Sequence, residues 1–201
     1  MSGILLLASA SPRRRELLEQ LGFRFEVVAS DVPEEPRPGE VPPVFVRRVA
    51  HDKALAVAAR QPGAWVLAAD TVVVVGEEML GKPVDAREAS AMLARLSGRE
   101  HQVLTGVDLI APGGTIGDGV TVVTTVRFRK LATEEIEAYV STGEPLDKAG
   151  AYAIQGRAAR FVEDVLGSYT NVVGLPVDEV RRLLDRHGLL AGVGRRAAGG
   201  V

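Results

Sequence analysis

A nearly unbroken apolar run rich in valine, WVLAADTVVVV at residues 65–75, limits the folds open to this chain. An apolar segment of this kind is typical of a β-strand that is buried on both faces, in the middle of a sheet covered by helices. The run also contains one carboxylate, Asp70. Because an ionised carboxylate is costly to bury without a partner, we expect a cation or hydrogen-bond donors beside it.

The rest of the chain alternates strands and helices in its first half and contains a hairpin in its second half. Hydrophobic patterns and turn residues predict further strands at 4–8, 23–30, 149–156 and 160–169, and a glycine-rich hairpin over 101–131. Helices are predicted at 11–22, 44–61, 86–98 and 178–187, with another one capped by Thr133. The sequence therefore predicts an α/β fold: a mixed twisted sheet with flanking helices and two lobes around a central cleft.

Composition excludes several classes of function. The chain has 201 residues, no cysteine, three histidines and a formal net charge of −2. Disulfides, thiolate metal sites and cysteine nucleophiles are excluded, and any metal is expected to be Mg²⁺ or Mn²⁺ held by carboxylates and water. The start, MSGILLLASA, has no basic region before its short apolar run, so a strand is expected there rather than a signal peptide. No stretch is long enough to span a bilayer, and we expect a cytoplasmic protein without membrane contact.

The length allows one domain, which we assign to residues 1–188. The tail at 189–201 is rich in glycine, alanine and arginine and has no hydrophobic period. It is predicted to be disordered.

The helix after the first strand has its charges at an unexpected end. Ser11 is a good N-cap and Pro12 suits the first helical position, but Arg13, Arg14 and Arg15 fill the first turn. That end carries the positive half of the helix dipole and normally prefers carboxylates. The arginines are either solvated or part of an anion site, in which guanidinium groups and free backbone N–H groups bind phosphate together.

Several other charged residues are candidates for the same site. Asp70 has two interpretations: a structural carboxylate, or a functional one that acts as a metal ligand or general base at a strand end or kink. Lys82 is a candidate for the cation that pairs with it. Glu34 and Glu35 lie in a proline-rich acidic loop and alone would be taken as surface residues. Lys53 lies among apolar residues of a predicted helix and becomes a candidate if that helix faces the arginines.

Gln155, between Ile154 and Gly156, adds an amide that can either pair with the edge of a nucleobase or be a residue without a role. Basic residues, separated carboxylates and an amide together suit a nucleoside triphosphate with a divalent metal. The chain lacks GxxxxGK[ST], GxGxxG after the first strand, and GxSxG, so a P-loop, a Rossmann cofactor site and a hydrolase elbow are unsupported.

Six segments, taken in order, resemble the Maf family of nucleoside triphosphate pyrophosphatases. They are LASASPRRRELL, AADTVVV, GKP, MLARLSGREHQVLTGV, DKAGAYAIQG and GSYTNVVGLP. The resemblance implies hydrolysis of a nucleotide to its monophosphate and pyrophosphate with a divalent metal. It also implies a fold similar to the inosine triphosphate pyrophosphatases, a cytoplasmic location and a possible homodimer. DKAGAYAIQG is similar to the subgroup that acts on dTTP and UTP.

The resemblance also implies residue roles. Asp70 matches the proton acceptor, and Glu34, or Glu35 in its place, matches the loop acid, which makes Glu34 and Asp70 the expected metal ligands. Arg15 matches no required position and is expected to be solvated. The residues at the family's substrate-contacting and basic positions are Ser9, Arg13, Arg14, Lys53 and Lys82. The positions linked to base choice are occupied by Arg13, Thr71 and Gln155.

Other functions stay open at this point. The family's association with septum formation suggests a regulator of cell division that acts by binding a partner, and a pyrophosphatase with another base preference, such as 7-methyl-GTP, is an alternative. A nucleic-acid-binding role is not expected, because the net charge is −2 and only 4% of residues are aromatic.

Overall fold

The computed structural model describes residues 4–114 and 117–192, and these form a mixed seven-stranded sheet flanked by helices. Along the sheet the strand order is β2-β1-β3-β5-β6-β7, and β4 pairs with β3 beside this path. β1 is parallel to β2 and β3, and the other pairs are antiparallel. The strands are β1 (Leu5–Leu7), β2 (Phe25–Val27), β3 (Trp65–Val75), β4 (Glu78–Leu80), β5 (Glu100–Ile110), β6 (Gly117–Phe128) and β7 (Val162–Leu166). The predicted mixed α/β fold is confirmed.

The valine-rich run forms β3, which lies inside the sheet between β1 and β5. Val66, Leu67 and Ala68 are fully buried, as expected for a strand covered on both faces. The antiparallel register with β5 runs from Val66 opposite Ile110 to Val74 opposite Gln102. Asp70 is the sixth of eleven residues in this strand, so the prediction of a strand end or kink at Asp70 is wrong.

Helices cover both faces of the sheet. One apolar cluster is large and contains buried residues of α1, α3, α4 and α6, while two smaller clusters lie beneath α2. The helices are α1 (Pro12–Gln20), α2 (Pro42–Ala58), α3 (Ala86–Leu96), α4 (Thr133–Val140), α5 (Tyr169–Val173) and α6 (Val177–Arg186). α2 crosses β5 so closely that a Cβ on Gly106 would lie 2.4 Å from the carbonyl oxygen of Val46. Glycine is therefore required where this helix meets the sheet.

Two local predictions are wrong. Residues 149–156 do not form a strand: a 3-10 helix over Ala149–Ala151 contains Gly150 at φ +65°, and turns follow. The N–H of Gly150 donates to the carbonyl of Gly81, the residue that follows β4, so the segment folds against the end of β4 instead of joining the sheet. Thr133 is the first residue of α4 rather than its cap, because Ala132 is the N-cap and its N–H donates to the Glu135 carboxylate.

The structure agrees in part with the predictions made for the two ends of the chain. Ser11 caps α1 through the N–H of Arg14, and Gly22 adopts φ +75° just after the helix. Of the predicted tail, Leu189–Gly192 forms a 3-10 helix and the remainder lies outside the described residues. In the part of the chain that the structure describes, no helix is both long and apolar enough to span a membrane.

Candidate active site

A cavity of about 320 Å³ opens where the edge of β3 is left unpaired. β1 pairs with β3 only at 65–67, and β4 pairs with the same edge only at 73–75. Within the described residues, positions 68–72 therefore have no neighbouring strand on this side. The cavity forms in this gap, and the N-terminal turn of α1 and the segment 147–155 complete its wall.

The open edge lets both faces of β3 contribute to one cavity. Successive side chains of a strand point to opposite faces, so Asp70 faces α2 and Thr71 faces α1 and α5. Both line the cavity. An acid at the floor and a hydroxyl on the opposite face are therefore placed together by two consecutive residues of one rigid strand.

Lys53 joins two carboxylates at the floor of the cavity. Its Nζ lies 2.7 Å from Asp70 Oδ1 and 2.6 Å from Glu34 Oε1. The Lys53 and Asp70 side chains are both 6% exposed. The sequence suggested Lys82 as the cation for Asp70, and the structure gives Lys53 this place. Lys82 lies instead 3.4 Å from Glu34 Oε2.

The loop carboxylate that reaches this cluster is Glu34, not Glu35. Burial alone would raise the pKa of Glu34, but the positive charges and hydrogen bonds of Lys53 and Lys82 outweigh this effect and hold the pKa below its ordinary value. Glu34 is therefore ionised at neutral pH. Glu35 is exposed and contributes only its backbone carbonyl, which accepts a hydrogen bond from Arg48.

Arg14 is the most firmly held of the three arginines. Its Nε donates to the carbonyl of Gly174 at 2.9 Å, one terminal nitrogen donates to Thr71 Oγ1 at 3.0 Å, and the other lies 3.4 Å from Ser9 Oγ. Burial lowers the pKa of Arg14, while the charges of Asp70 and Glu34 oppose that shift. A guanidinium stays protonated under such conditions, so Arg14 is a fixed positive charge in the cavity wall.

Arg13 and Arg15 have different surroundings. Arg13 also lines the cavity, and its guanidinium lies 3.8 Å from the carboxylate of Asp147. Arg15 points away, pairs with Glu19 at 2.8 Å and is 63% exposed, as predicted for a solvated residue. The structure therefore places Arg13 and Arg14 in the cavity and leaves Arg15 on the surface.

The remaining predicted substrate contacts also line the cavity. Ser9 is buried and its Oγ accepts from the N–H of Ser11, which holds the turn between β1 and α1. Gln155 is exposed at the rim, and among the described residues its side chain has no hydrogen-bond partner. Its amide is free to pair with a ligand.

Sequence analysis assigned no role to several residues that shape the site. Asp147 lies between Arg13 and Lys148, and its contact with the Lys148 ammonium is close. Burial would raise the pKa of Asp147, but the hydrogen bond and charge of Lys148 lower it overall. Thr105 and Asn171 are fully buried beneath Thr71. The signal for these two was a polar residue within an apolar stretch, in VLTGV and in TNVVG.

The charges around the cavity do not cancel. Five cations and three carboxylates line it, which leaves a net charge of +2, whereas the whole chain carries −2. The cations are Arg13, Arg14, Lys53, Lys82 and Lys148, and the carboxylates are Glu34, Asp70 and Asp147. The cavity is therefore suited to an anion larger than a single carboxylate.

The carboxylates fit a divalent cation that is shared with a substrate. Among the described residues no group of three His, Asp or Glu residues is close enough to hold a metal alone. Glu34 and Asp70 converge on one point, now occupied by the Lys53 ammonium, and Asp70 Oδ2 accepts no hydrogen bond from the described residues. Mg²⁺ is commonly bound by one or two carboxylates, with phosphate oxygens and water as its other ligands.

Comparison with known proteins identifies the family. The model of the family described as Maf-like protein matches residues 4–187. The chain belongs to the Maf family. It is 57% identical to the dTTP/UTP pyrophosphatase of Myxococcus xanthus over 186 residues, which cover 92% of this chain and 93% of the relative. It is 56% identical to the dTTP/UTP pyrophosphatase of Geobacter sulfurreducens over 191 residues, which cover 94% of this chain and 98% of that protein.

A solved structure shares the architecture of this Maf chain. The HAM1 protein from Coxiella burnetii matches with a TM-score of 0.51, over 90% of this chain and 98% of the HAM1 chain. The sequence identity is 16%. At this identity the likeness concerns the fold alone, and it agrees with the mixed sheet and flanking helices described above.

Proposed function

We propose that this protein is a nucleoside triphosphate pyrophosphatase that hydrolyses dTTP, UTP and related pyrimidine nucleotides to the monophosphate and pyrophosphate. The observation that carries the proposal is the cavity with a net charge of +2 around the buried Lys53–Asp70 pair, which the more exposed Glu34 joins through Lys53. A nucleoside triphosphate carries about four negative charges, and about two once a divalent cation is bound, which matches the cavity. The names of the relatives from Myxococcus xanthus and Geobacter sulfurreducens support the choice of substrate.

In the proposed reaction, Asp70 orients a water molecule and accepts its proton as the water oxygen attacks the α-phosphorus. The bond between the α-phosphorus and the bridging oxygen breaks, and pyrophosphate leaves with the electron pair. Asp70 Oδ2 accepts no hydrogen bond from the described residues, so it is available to accept this proton. Asp70 Oδ1 accepts a hydrogen bond from Lys53. A positioned base of this kind contributes ~10²–10⁴-fold to the rate.

The cations stabilise the charge that develops on the leaving group. Arg13, Lys53 and Lys82 are assigned to the phosphates, and Arg14 adds a rigid guanidinium whose unused N–H groups can bind another oxygen. Such groups are effective because they are oriented before the reaction begins. Ser9 supports this arrangement by holding the turn that precedes α1.

A divalent metal, Mg²⁺ or Mn²⁺, is proposed as the cofactor, with Glu34 and Asp70 as its protein ligands. When bound, it would neutralise phosphate charge and polarise phosphoryl oxygens. We place the reaction in the cytoplasm, where nucleoside triphosphates are made and used. The homodimer implied by the family resemblance stays a prediction.

Base choice is assigned to the rim and wall of the cavity. Gln155 can pair with the edge of uracil or thymine, and Thr71 and Arg13 line the same cavity. A site that pairs with polar edges rejects bases that leave its own polar groups unpaired.

A nucleotide panel tests the function directly. The purified protein is incubated with each common ribo- and deoxyribonucleoside triphosphate and 7-methyl-GTP, with Mg²⁺, Mn²⁺ or a chelator, and pyrophosphate release is measured. We expect the highest kcat/KM with dTTP and UTP, and loss of turnover with the chelator. Release of single phosphates would contradict the proposal, because a different phosphoanhydride bond would then be cleaved. No turnover of any triphosphate would also contradict it and would favour a binding role.

A further inference from the structure

Behind the cavity wall, a chain of hydroxyl groups runs from Arg14 to the backbone of α5. Arg14 donates to Thr71 Oγ1 at 3.0 Å, and Thr71 Oγ1 lies 2.9 Å from Thr105 Oγ1. Thr105 Oγ1 in turn donates to the carbonyl oxygen of Asn171 at 3.2 Å. Thr71 and Thr105 are directly opposite in the β3–β5 register, so two rigid strands hold this hydroxyl chain in place.

The two ends of the hydroxyl chain determine where each proton points. Arg14 can only donate, and the carbonyl of Asn171 can only accept. Thr105 has one hydroxyl proton, and that proton is used on the carbonyl, so Thr105 must accept the proton of Thr71. Thr71 therefore has its proton directed inward and one lone pair occupied by Arg14. Toward the cavity it can offer only its remaining lone pair.

We infer that Thr105 is a positioning residue that makes Thr71 a pure acceptor, so that the site selects a pyrimidine carrying a hydrogen on ring nitrogen N3. This inference rests on the proposed function. Uracil and thymine carry an N3–H that can donate to Thr71. In the same pose cytosine presents the lone pair of its N3, which meets the lone pair of Thr71 and forms no bond. The selection follows from proton direction and needs no change in the shape of the cavity.

Thr105 cannot act by touching the substrate. It is fully buried and absent from the cavity lining, whereas Thr71 lines the cavity. The carbonyl of Asn171 also accepts the N–H of Gly174, so it keeps one partner if the Thr105 hydroxyl is removed. A Thr105→Val variant, which keeps the side-chain shape, therefore leaves no backbone group unpaired and chiefly releases the proton of Thr71.

The test compares UTP with CTP in matched variants. In Thr105→Val the freed Thr71 hydroxyl can rotate and donate to N3 of cytosine, so we expect the ratio of kcat/KM for UTP over CTP to fall by about tenfold or more. Thr105→Ser restores the hydroxyl and should restore the ratio. Thr124→Val is the matched control, because Thr124 is a fully buried hydroxyl on the neighbouring strand that contacts Ser168 and Asn171 but not Thr71. It should leave the ratio unchanged even if stability falls.

A second measurement uses the unaltered protein. N3-methyl-UTP lacks the N3–H, and we expect its kcat/KM to lie at least about tenfold below that of UTP. Equal turnover of the two nucleotides, or a UTP-to-CTP ratio in Thr105→Val within about twofold of the wild type, would overturn the inference.

Failure of this inference can be distinguished from failure of the proposed function. If the wild type hydrolyses no triphosphate, the proposed function is wrong, and the Kd values of UMP and CMP then decide the inference by calorimetry. A preference for UMP that is lost in Thr105→Val and kept in Thr105→Ser supports it. Equal binding of UMP and CMP by the wild type overturns it.

Discussion

Three consecutive arginines at the start of α1 differ in what holds them. Arg14 is fixed by a carbonyl and two hydroxyl oxygens, Arg13 faces a carboxylate at the cavity mouth, and Arg15 pairs with Glu19 on the surface. A helix turn of 3.6 residues separates neighbouring side chains by about 100°. One turn can therefore place Arg14 in the cavity wall, Arg13 at the cavity mouth and Arg15 on the surface. The unfavourable position of these charges at the helix N-terminus is offset when an anion binds there.

Arg14→Lys tests whether the fork of the guanidinium matters beyond its charge. Lysine keeps the charge but cannot reach Gly174, Ser9 and Thr71 together, so the cation loses its fixed position. We expect KM for UTP to rise by about tenfold, since roughly one charged hydrogen bond's free energy is lost. Arg15→Lys, on the exposed side of the same turn, is the control and should change KM by less than about twofold. A similar effect of both substitutions would contradict the assignment of Arg14.

Asp70→Asn tests the proposed base. The amide keeps the shape of the side chain but cannot accept a proton, so kcat should fall by ~10²–10⁴-fold. Asp108→Asn is the matched control, because Asp108 is another buried carboxylate on the α2 face and pairs with Arg47 away from the cavity. It should lower the thermal midpoint while retaining most of kcat. Near wild-type turnover of Asp70→Asn would exclude Asp70 as the base.

At the residue scale, the sequence predicted which residues lie around the cavity better than it predicted their pairing. Asp70 was evident from its chemistry, because a carboxylate inside an apolar strand needs a partner. That its partner is Lys53 rather than Lys82 depends on the rotation of α2 over the sheet. That Arg14 is held more firmly than Arg13 depends on Gly174, which is 160 residues away in sequence. No local pattern reports contacts of this range.

At the scale of elements, the close crossing of α2 over β5 connects stability to the site. Gly106→Ala places a Cβ 2.4 Å from the Val46 carbonyl oxygen, so helix and strand must separate. We expect the free energy of unfolding to fall by about 2 kcal/mol, and kcat to fall as well, because α2 carries Lys53. Gly63→Ala is the control, since a Cβ there meets nothing within 4 Å, and it should shift the free energy by less than about 0.5 kcal/mol. Denaturant titration checks both values.

β5 also contains a buried histidine that makes stability depend on pH. Burial lowers the pKa of His101 to about 4, and its Nε2 lies 2.9 Å from the hydroxyl of Tyr152. The unfolded chain, with an ordinary histidine pKa of about 6.5, binds more protons than the folded one between those values. The free energy of unfolding should therefore be constant above about pH 6.5 and fall by about 3 kcal/mol as the pH drops to about 4.

A His101→Gln variant isolates this contribution, because glutamine does not titrate. The difference in unfolding free energy between wild type and variant should change only within that pH window. A difference that stays constant from pH 7 to pH 4 would show that His101 does not cause the dependence. Comparing the two proteins removes the contribution of carboxylates, which titrate in both.

The elements themselves were largely predictable, and the exception has a physical cause. Long segments with clear patterns, such as the unbroken apolar run at 65–75 and the helical period at 86–98, form the strand and helix expected of them. The segment 149–156 is apolar enough for a strand, but Gly150 adopts φ +65° and a Cβ there would lie 2.7 Å from Val73. Its conformation is determined by close packing against β3, which composition does not reveal.

For the molecule as a whole, the net charge of the cavity lining and the net charge of the chain have opposite signs. A cavity at +2 within a chain at −2 attracts polyanions locally while the net charge opposes nonspecific binding. We expect KM for UTP to rise by about three- to tenfold between about 0.05 M and about 0.5 M salt, because exposed cations such as Lys82 are screened. kcat should change little, since the Lys53–Asp70 pair is buried.

The salt series needs a control for competition by anions. Acetate and chloride salts of equal ionic strength should give the same KM if screening is the cause, whereas a difference between them would show anion binding. A KM that is independent of salt would contradict the role assigned to the cavity charge.

The unpaired edge of β3 has a consequence for how substrate preference can evolve. Alternation along the strand directs the backbone N–H and C=O groups of Ala69 and Thr71 into the gap between β1 and β4. These polar groups belong to the main chain, so no single side-chain replacement removes them. Selection can therefore exchange rim residues such as Gln155 while the main-chain groups of β3 keep their capacity to bind a ligand. A scaffold of this kind can acquire a new substrate through few substitutions, without passing through an intermediate that has lost its binding site.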